Sequence, residues 1–395
     1  MKCGNIKKMM IKRIEKFISE REKEIIKFCQ KLVQIPSQNG IDLEREIVKF
    51  ISQKLKEFKI KHKVVGSIKR PSILAEIGKG KRILILNAHL DTVSAGEKKF
   101  WKFDPFSGKI FKGKLYGRGS ADCKAGISAS IFAAYCLKKL NLLKGKLILA
   151  FDADEESGNF TGMKELLKNG LKGDFCLICH PGNEELMIGA RGVLRAKLIT
   201  FGKAVHTGSR YKKGINAIYR MTKIIQILER LKLKHKKDKF FPFGPKLTLS
   251  LIKGGSQINI VPDLCEIEID IRTLPSQKEK RILKQIKEAL QKKINFKFFL
   301  QSFLFWPAYR ISENSKLVKL ILKRAKEILK RKPKISCAGA SNVGNLLWQH
   351  KIKSISGFGV DFENAHSYNE CISLKSLIEI TILYAHLAFD FLKEN

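Results

Sequence analysis

Histidine and acidic side chains stand in two short patterns that suit metal binding and proton transfer. His89 and Asp91 are two residues apart, and an aspartate so placed can hold the second ring nitrogen of a metal-bound histidine. Glu155 and Glu156 are adjacent carboxylates, which repel each other unless a cation or a proton lies between them. One of them could bind a metal while the other acts as a base. Taken alone, each pattern also fits a charged surface turn.

Asp122 follows a glycine-rich turn at 113–119 and begins a predicted helix over about 122–140. A carboxylate at the start of a helix commonly accepts backbone N–H groups as an N-cap. For an isolated aspartate, this cap is the favoured interpretation. A role for Asp122 in chemistry therefore depends on what else the chain brings to the same place.

Three predicted apolar strands lead into chemically active side chains. They are 82–87 before His89, 147–151 before Glu155 and Glu156, and 175–179 before His180. The carboxyl ends of strands are where open α/β sheets place their sites. The sequence therefore predicts a metal site gathered along one sheet edge. The domain that carries this sheet begins with predicted helices over 11–33 and 41–58 and a strand over 72–77.

The second half of the chain contains a predicted insertion. From about residue 191 the order becomes strand, helix, strand, strand, helix, strand. These elements are 193–201, 214–231, 246–253, 265–272, 276–292 and 295–301. That order is typical of a two-layer α+β unit with its own core. We therefore expect an α/β domain made of residues 1–190 and 303–395, interrupted by an α+β domain at 191–302.

The composition predicts an ordinary globular protein of the cytoplasm. The 395 residues are 44% hydrophobic, with no apolar run long enough to cross a membrane and no secretory signal at the N-terminus. The nine cysteines are irregularly spaced and odd in number, which argues against a disulfide framework. The net charge of +40 comes mostly from lysine spread over every segment. This spread favours a solvated surface over a nucleic-acid site.

Six stretches of the chain, taken in order, carry a specific combination of motifs. They are NAHLDTV at 87–93, GRGSADCKAG at 117–126, DEESG at 154–158, GGSQINIVPD at 254–263, DIR at 270–272 and AHSYNE at 365–370. Together they resemble the two-zinc metallopeptidases and deacylases that include acetylornithine deacetylase, succinyl-diaminopimelate desuccinylase, aminoacylase and glutamate carboxypeptidase. The resemblance implies a zinc-peptidase-like catalytic domain, a mixed sheet flanked by helices, with the insertion as a lid and dimerisation domain.

Carried over residue by residue, the resemblance implies two divalent metal ions per chain, zinc or alternatively cobalt. Asp122 would bridge the two ions. His89 would bind one of them, and Glu156 and His366 would bind the other. Such a pair of ions lowers the pKa of a shared water and polarises an amide carbonyl.

The same resemblance gives roles to three further residues of the catalytic domain. Asp91 would orient a metal-binding histidine, and Glu155 would be the general base that passes the water proton to the leaving nitrogen. His180 departs from the commonest family pattern, which has Glu or Asp before the proline. Some amidohydrolase members have His there, and neutral imidazole suits zinc, cobalt or nickel, so we expect a ligand. The alternative is that His180 only ends a strand, and that Glu184 or water binds instead.

Within the insertion, His206 matches a family histidine that reaches a neighbouring active site and helps to hold the oxyanion. The resemblance therefore implies a homodimer through this domain. Asn259 and Arg272 match positions that bind the substrate carboxylate, and a guanidinium fork suits that group. The simpler interpretations are a structural histidine in a strand turn, and an ion pair of Arg272 with Asp270 or Asp263.

The expected function is hydrolysis of the amide bond in an N-acyl-amino acid or small peptide with a free carboxylate, a reaction of amino-acid metabolism. Gly339 lies where relatives often form a polar wall of the substrate pocket. The sequence leaves open a deacylase or a dipeptidase or carboxypeptidase, because each breaks the same kind of bond. The rival from another class is an inactive, metal-poor dimeric binding protein, although every expected ligand type and the Glu155 base are present.

Overall fold

The computed structural model describes residues 2–393, and in it the chain divides into two units. The first unit comprises the described residues up to Gly189, Ile311–Ala338 and the residues from Asn342 on. The second unit comprises Ala190–Arg310 together with Gly339–Ser341. In the described part of the chain, no helix combines the length and apolar character that spanning a membrane requires.

The helices are α1 (Lys2–Ser19), α2 (Glu22–Gln34), α3 (Arg45–Glu57), α4 (Ala125–Lys139), α5 (Thr161–Lys168), α6 (Ala217–Glu229), α7 (Glu279–Gln291), α8 (Lys316–Arg324), α9 (Val343–Gln349) and α10 (Leu374–Phe391). The strands are β1 (His62–Gly66), β2 (Pro71–Ile77), β3 (Ile83–His89), β4 (Ile110–Phe111), β5 (Lys114–Tyr116), β6 (Lys146–Asp152), β7 (Phe175–Ile178), β8 (Glu185–Ala190), β9 (Gly192–Phe201), β10 (Lys246–Gly254), β11 (Leu264–Thr273), β12 (Phe298–Trp306), β13 (Tyr309–Arg310), β14 (Lys334–Ala338), β15 (Lys353–Ile355), β16 (Phe362–Glu363) and β17 (Cys371–Ser373).

The first unit is built on a six-stranded mixed sheet in the order β1-β2-β6-β3-β7-β15. The pairs from β6 to β15 are parallel, whereas β2 pairs antiparallel with both β1 and β6. Strands β3, β6 and β7 are almost continuously apolar and buried, as expected for parallel strands covered on both faces. Helix α4 packs against β3 and β6 and is buried nearly all round. The carboxyl ends of three adjacent strands therefore meet at one edge.

The second unit is a two-layer α+β structure. Its antiparallel sheet has the order β10-β11-β9-β12. Along β11 the buried residues alternate with more exposed ones, and the buried residues join the core beneath α6 and α7. This period of two is the pattern of a sheet with one covered face. The predicted α/β fold class with an α+β insertion is therefore confirmed.

Two predicted helices differ from the structure, and some strands were not predicted. The helix expected over 11–33 is two helices, because α1 ends at Ser19 and α2 begins at Glu22. The sequence did not predict β1 or β8. The helix expected from Asp122 begins at Ala125, and Asp122 itself has non-helical backbone angles of φ −112° and ψ 94°. Asp122 is therefore not the helix N-cap that the sequence favoured when this residue was considered alone.

Candidate metal centre

His89 is the last residue of β3, and its position in the sheet brings two other segments beside it. It pairs in parallel register with Asp152, the last residue of β6, three residues before Glu155. On the other side of β3, the backbone N–H of Cys179 donates to Asn87 O at 2.7 Å. His180 is the next residue after Cys179 in the chain. The imidazole rings of His89 and His180 lie 5.4 Å apart between centroids.

The Asp122 carboxylate lies between two imidazoles. Its Oδ1 is 2.9 Å from His89 Nε2, and its Oδ2 is 3.0 Å from His366 Nε2. His366 Nε2 is also 3.3 Å from Glu156 Oε1. The two oxygens of one carboxylate thus face two separate sets of side chains.

Those two sets are groups of potential ligands that share Asp122. One contains His89, Asp122, Cys123 and His180, and the other contains Asp122, Glu156 and His366; the ligand atoms within each group lie within 4.8 Å of one another. The alternative ligand Glu184 is exposed and belongs to neither group. Cys123 is a member that the sequence analysis did not name. Burial raises the pKa of its thiol to about 12, and its Sγ accepts the backbone N–H of His89 at 3.1 Å.

The donor set fits divalent cations. The buried atom His180 Nε2 has no hydrogen-bond partner among the residues that the structure describes. Burial lowers the pKa of His180, which keeps the ring neutral and its lone pair available. Hydrogen bonds to Asp122 and Glu156 raise the pKa of His366 to about 10, so the clustered carboxylates attract positive charge where a cation would sit. Imidazole and carboxylate donors in this mixture suit zinc and its neighbours.

Asp91 uses different atoms from those expected. The ring nitrogen His89 Nδ1 lies 2.8 Å from the backbone oxygen of Asp91, whereas the nearer carboxylate oxygen is 3.8 Å away. The carboxylate instead accepts the backbone N–H groups of Glu155 and Glu156, each at 3.0 Å. It also accepts Asn39 Nδ2 at 2.7 Å. Asp91 therefore fixes the His89 ring through its main chain and the Glu155–Glu156 turn through its side chain.

A polar network behind this turn was not predicted from the sequence. Asn39 Nδ2 also donates to Asp154 Oδ1 at 3.1 Å, and Arg70 forms an ion pair with the same carboxylate. Thr161 donates to Asp154 Oδ2 at 2.6 Å. Asp154 has a positive φ of 61°, a left-handed conformation that aspartate adopts more readily than most residues with a side chain. Asn39 and Arg70 are far from Asp154 in sequence, so no local spacing could reveal this contact.

Glu155 is half-buried, and its backbone is held by Asp91 while its side chain makes no hydrogen bond among those described. Burial, together with the neighbouring Glu156 carboxylate, raises the pKa of Glu155 well above its usual value. A half-buried carboxylate that is held at its main chain and belongs to neither ligand group is suited to accept and return a proton.

Arg272 lies on β11 of the second unit and makes two contacts there. Its Nε is 2.8 Å from Asp270 Oδ1, and its Nη1 donates to Ser341 Oγ at 3.1 Å. The ion pair with Asp270 that the sequence left open is therefore present. Ser341 belongs to the short segment Gly339–Ser341, so the structure brings Arg272 and the predicted pocket-wall glycine into one unit.

His206 and Asn259 are exposed neighbours, also in the second unit. His206 pairs with Ile260 in a β-bridge, and Thr207 N donates to Asn259 O at 3.0 Å. The backbone N–H of Gly208 donates to His206 Nδ1 at 3.1 Å. A neutral ring that accepts at Nδ1 carries its proton at Nε2. His206 thus presents an N–H donor, the group that an oxyanion requires.

Comparison with known proteins identifies relatives along most of the chain. Residues 85–390 match peptidase family M20/M25/M40. A succinyl-diaminopimelate desuccinylase of Wigglesworthia glossinidia brevipalpis is 31% identical over 341 residues, covering 83% of this chain and 88% of the relative. An uncharacterized metallohydrolase of Methanocaldococcus jannaschii is 28% identical, covering 94% and 99%. An M20 family metallo-carboxypeptidase from Sulfolobus solfataricus has a TM-score of 0.75 at 20% identity, covering 93% and 99%, a likeness of fold.

Proposed function

The chain belongs to peptidase family M20/M25/M40 and is a metal-dependent hydrolase, and from that premise we propose that it removes the acyl group of an N-acyl-amino acid by two-zinc hydrolysis. The observation that carries the proposal is the Asp122 carboxylate, whose oxygens lie 2.9 Å from His89 and 3.0 Å from His366. One carboxylate shared by two ligand groups is the arrangement that a pair of metal ions needs. His89 and His180 would hold one ion, and Glu156 and His366 the other.

Each residue of the centre then has a defined task. A pair of zinc ions bound there would supply an acidified water and polarise the scissile carbonyl. Glu155 would accept the water proton on a carboxylate oxygen and return it to the leaving nitrogen. Asp91 would keep that carboxylate in place, because its own oxygens hold the Glu155 and Glu156 backbone at 3.0 Å.

The substrate we propose is an amino acid carrying an acyl group and a free carboxylate, of the succinylated diamino acid class. Support comes from the 31%-identical desuccinylase, which aligns over 83% of this chain. Arg272 and Asn259 would bind the carboxylate, with the Arg272 fork steadied by Asp270 and Ser341. Nη2 of the guanidinium donates to Asp270 Oδ2 at 3.5 Å, and the side chain is 34% exposed, so a ligand can reach it.

We further propose that the second unit is the lid and dimerisation domain expected at 191–302, and that the enzyme is a cytoplasmic homodimer. Strand β10 lies at the sheet edge and pairs, within the described residues, with β11 alone. The large apolar side chains exposed in this unit include Tyr211, Tyr219, Phe243, Leu251, Ile252, Ile258 and Leu264. An exposed strand edge with apolar residues invites pairing with a second copy. The free thiols among the described residues are Cys29, Cys123, Cys136, Cys176, Cys179, Cys265 and Cys371, in keeping with a reducing compartment.

The test combines metal removal with a substrate panel. Chelated protein should lose activity, and zinc or cobalt should restore it as two ions per chain are bound. The restored enzyme should hydrolyse N-succinylated diamino acids faster than dipeptides. Glu155→Gln should keep both ions and lose about 10²–10⁴-fold in turnover. A restored wild-type enzyme that cleaves no acylated amino acid, or full activity in chelator, would refute the proposal.

A further inference from the structure

Glu370 is a buried carboxylate, 1% exposed, to which the sequence analysis gave no role. It lies immediately before β17, which pairs antiparallel with β5. Strand β5 leads into the segment 117–122, and the N–H of Gly117 donates to Glu370 O at 2.9 Å. The small sheet thus brings Glu370 beside the turn that ends in Asp122.

Four donors converge on the Glu370 side chain. Oε1 accepts the backbone N–H groups of Ala121 at 2.8 Å and Asp122 at 3.1 Å. Oε2 accepts the backbone N–H of Gly119 at 3.1 Å and Arg118 Nη1 at 2.5 Å. Gly119 has a φ of +77°, and a Cβ there would lie 2.4 Å from Thr92 Cγ2, so glycine lets this turn close around the carboxylate.

The segment that donates these hydrogen bonds is irregular. Asp122 has non-helical backbone angles, so its N–H lacks the partner that a helix would provide. Glu370 supplies that partner. It is also only four residues from His366, whose Nε2 lies 3.0 Å from Asp122 Oδ2. A single carboxylate therefore connects the turn that carries Asp122 with the loop that carries His366.

We propose that Glu370 is a positioning residue of the metal centre, which sets the distance between the Asp122 and His366 ligands by holding both segments. It acts through these two side chains and does not bind metal itself. The inference rests on the metal centre of the proposed function, but not on its substrate. Both Glu370 oxygens accept two donors, so Gln at this position would place an NH₂ group against N–H donors at one end. Partners of metal ligands typically contribute about 10–100-fold to metal affinity.

The control must be a buried, ion-paired carboxylate of the same unit away from the centre. Asp390 serves, being 7% exposed and paired with Lys7 Nζ at 2.7 Å and with Arg324 Nε at 2.9 Å. Asp390→Asn removes a comparable buried charge from α10. Any loss of metal that only reflects weakened folding should appear in both variants.

The experiment measures binding of cobalt(II) and zinc to the full chain by competition with a chromophoric chelator, together with the visible cobalt spectrum and thermal unfolding. Glu370→Gln should bind at least one ion about tenfold or more weakly and change the cobalt spectrum. Asp390→Asn should lower thermal stability and keep wild-type affinities and spectrum. Wild-type affinities in Glu370→Gln, or equal losses in the two variants, would overturn the proposal.

Three further outcomes test the inference or separate it from the proposed function. If Glu370→Gln does not fold, Arg118→Lys is the second variant, because it removes the guanidinium contact with Glu370 and keeps the positive charge. It should weaken cobalt binding several-fold. Unchanged cobalt binding in Arg118→Lys would overturn the proposal. A wild-type chain that binds two ions and cleaves no acylated amino acid would refute the substrate and leave the role of Glu370 intact. A wild-type chain that binds no ion would overturn both.

Discussion

At the residue scale, Asp91 contacts two neighbours through different atoms, one in its backbone and the others in its side chain. The His-x-Asp spacing predicted a carboxylate that orients His89, and the structure puts the backbone oxygen of Asp91 there, at 2.8 Å. Spacing along a strand end defines which residues are adjacent, but not which atom of each residue faces the other. The carboxylate is left to hold the Glu155–Glu156 turn, a role that depends on the turn's folded path.

Asp91→Asn tests this division. Its backbone oxygen is unchanged, so His89 should keep its orientation and the chain should still bind two ions. The new amide presents an NH₂ group to the N–H of Glu155 or Glu156, which should displace the base and lower kcat by about tenfold or more, since loss of one buried charge-assisted bond costs about 1.5–3 kcal/mol. Metal content by elemental analysis and kcat would be measured together. A variant that loses metal in proportion to activity would instead assign the carboxylate to His89.

Arg272 supports a second prediction at this scale. Arg272→Ala should lower kcat/KM for a carboxylate substrate by about tenfold or more, because a hydrogen bond to a charged group contributes about 1.5–3 kcal/mol. The carboxamide form of that substrate should be cleaved about equally by wild type and variant. Arg195→Ala is the matched control, since Arg195 Nε lies 3.3 Å from the same Asp270 carboxylate. Equal cleavage of carboxylate and carboxamide by the wild type would remove Arg272 from substrate recognition.

At the element scale, β3, β6 and β7 were predictable because each is a long apolar run that leads into polar residues. The ends of β3, β6 and β7 identified the sheet edge with His89, Glu155, Glu156 and His180. The backbone conformation around Asp122 could not be predicted in this way. The apolar residues beside Asp122 continue the helical period of α4, but the backbone at Asp122 is not helical. The break between α1 and α2 has no glycine or proline to mark it. Gly339–Ser341 joins the second unit by a long-range contact, which local patterns do not record.

The end of β7 gives the prediction for this scale. His180→Ala should lose one of two ions, because Asp122, Glu156 and His366 form a group without it. The buried, unpartnered His180 Nε2 is the atom that such a substitution removes. Elemental analysis after dialysis would count the ions, with exposed His350→Ala as the control. Two ions retained at wild-type affinity would mean that His180 only ends its strand.

At the scale of the whole molecule, the net charge of +40 bears on assembly. Two such chains repel each other, and the repulsion is screened over about 8 Å at physiological ionic strength. A dimer of this protein must therefore gain its free energy from apolar and backbone contacts, for which the exposed residues around β10 are available. Added salt should strengthen such a dimer, whereas a dimer held by opposite charges would weaken. Sedimentation at increasing salt distinguishes the two.

The dimer also allows a test of where His206 acts. Suppose that His206 contributes to the site of the partner subunit. A hybrid dimer of one Glu155→Gln chain and one His206→Ala chain then contains one complete site. The His206→Ala chain keeps Glu155, and the Glu155→Gln chain supplies His206 to it. Each homodimer should have low turnover, since one lacks the base and the other lacks the N–H that we assign to Nε2. Mixing and exchanging the subunits should then restore activity, up to about half of the wild-type turnover per hybrid dimer.

The control mixes Glu155→Gln with His180→Ala, which should restore nothing, because both substitutions lie in the first unit and no hybrid site is complete. No recovery in the His206 mixture, with exchange verified by mass, would mean that His206 acts within its own chain or not at all. Recovery in both mixtures would mean that the wild-type residues of one subunit rescue any defect of the other, and the cross-subunit role would be abandoned.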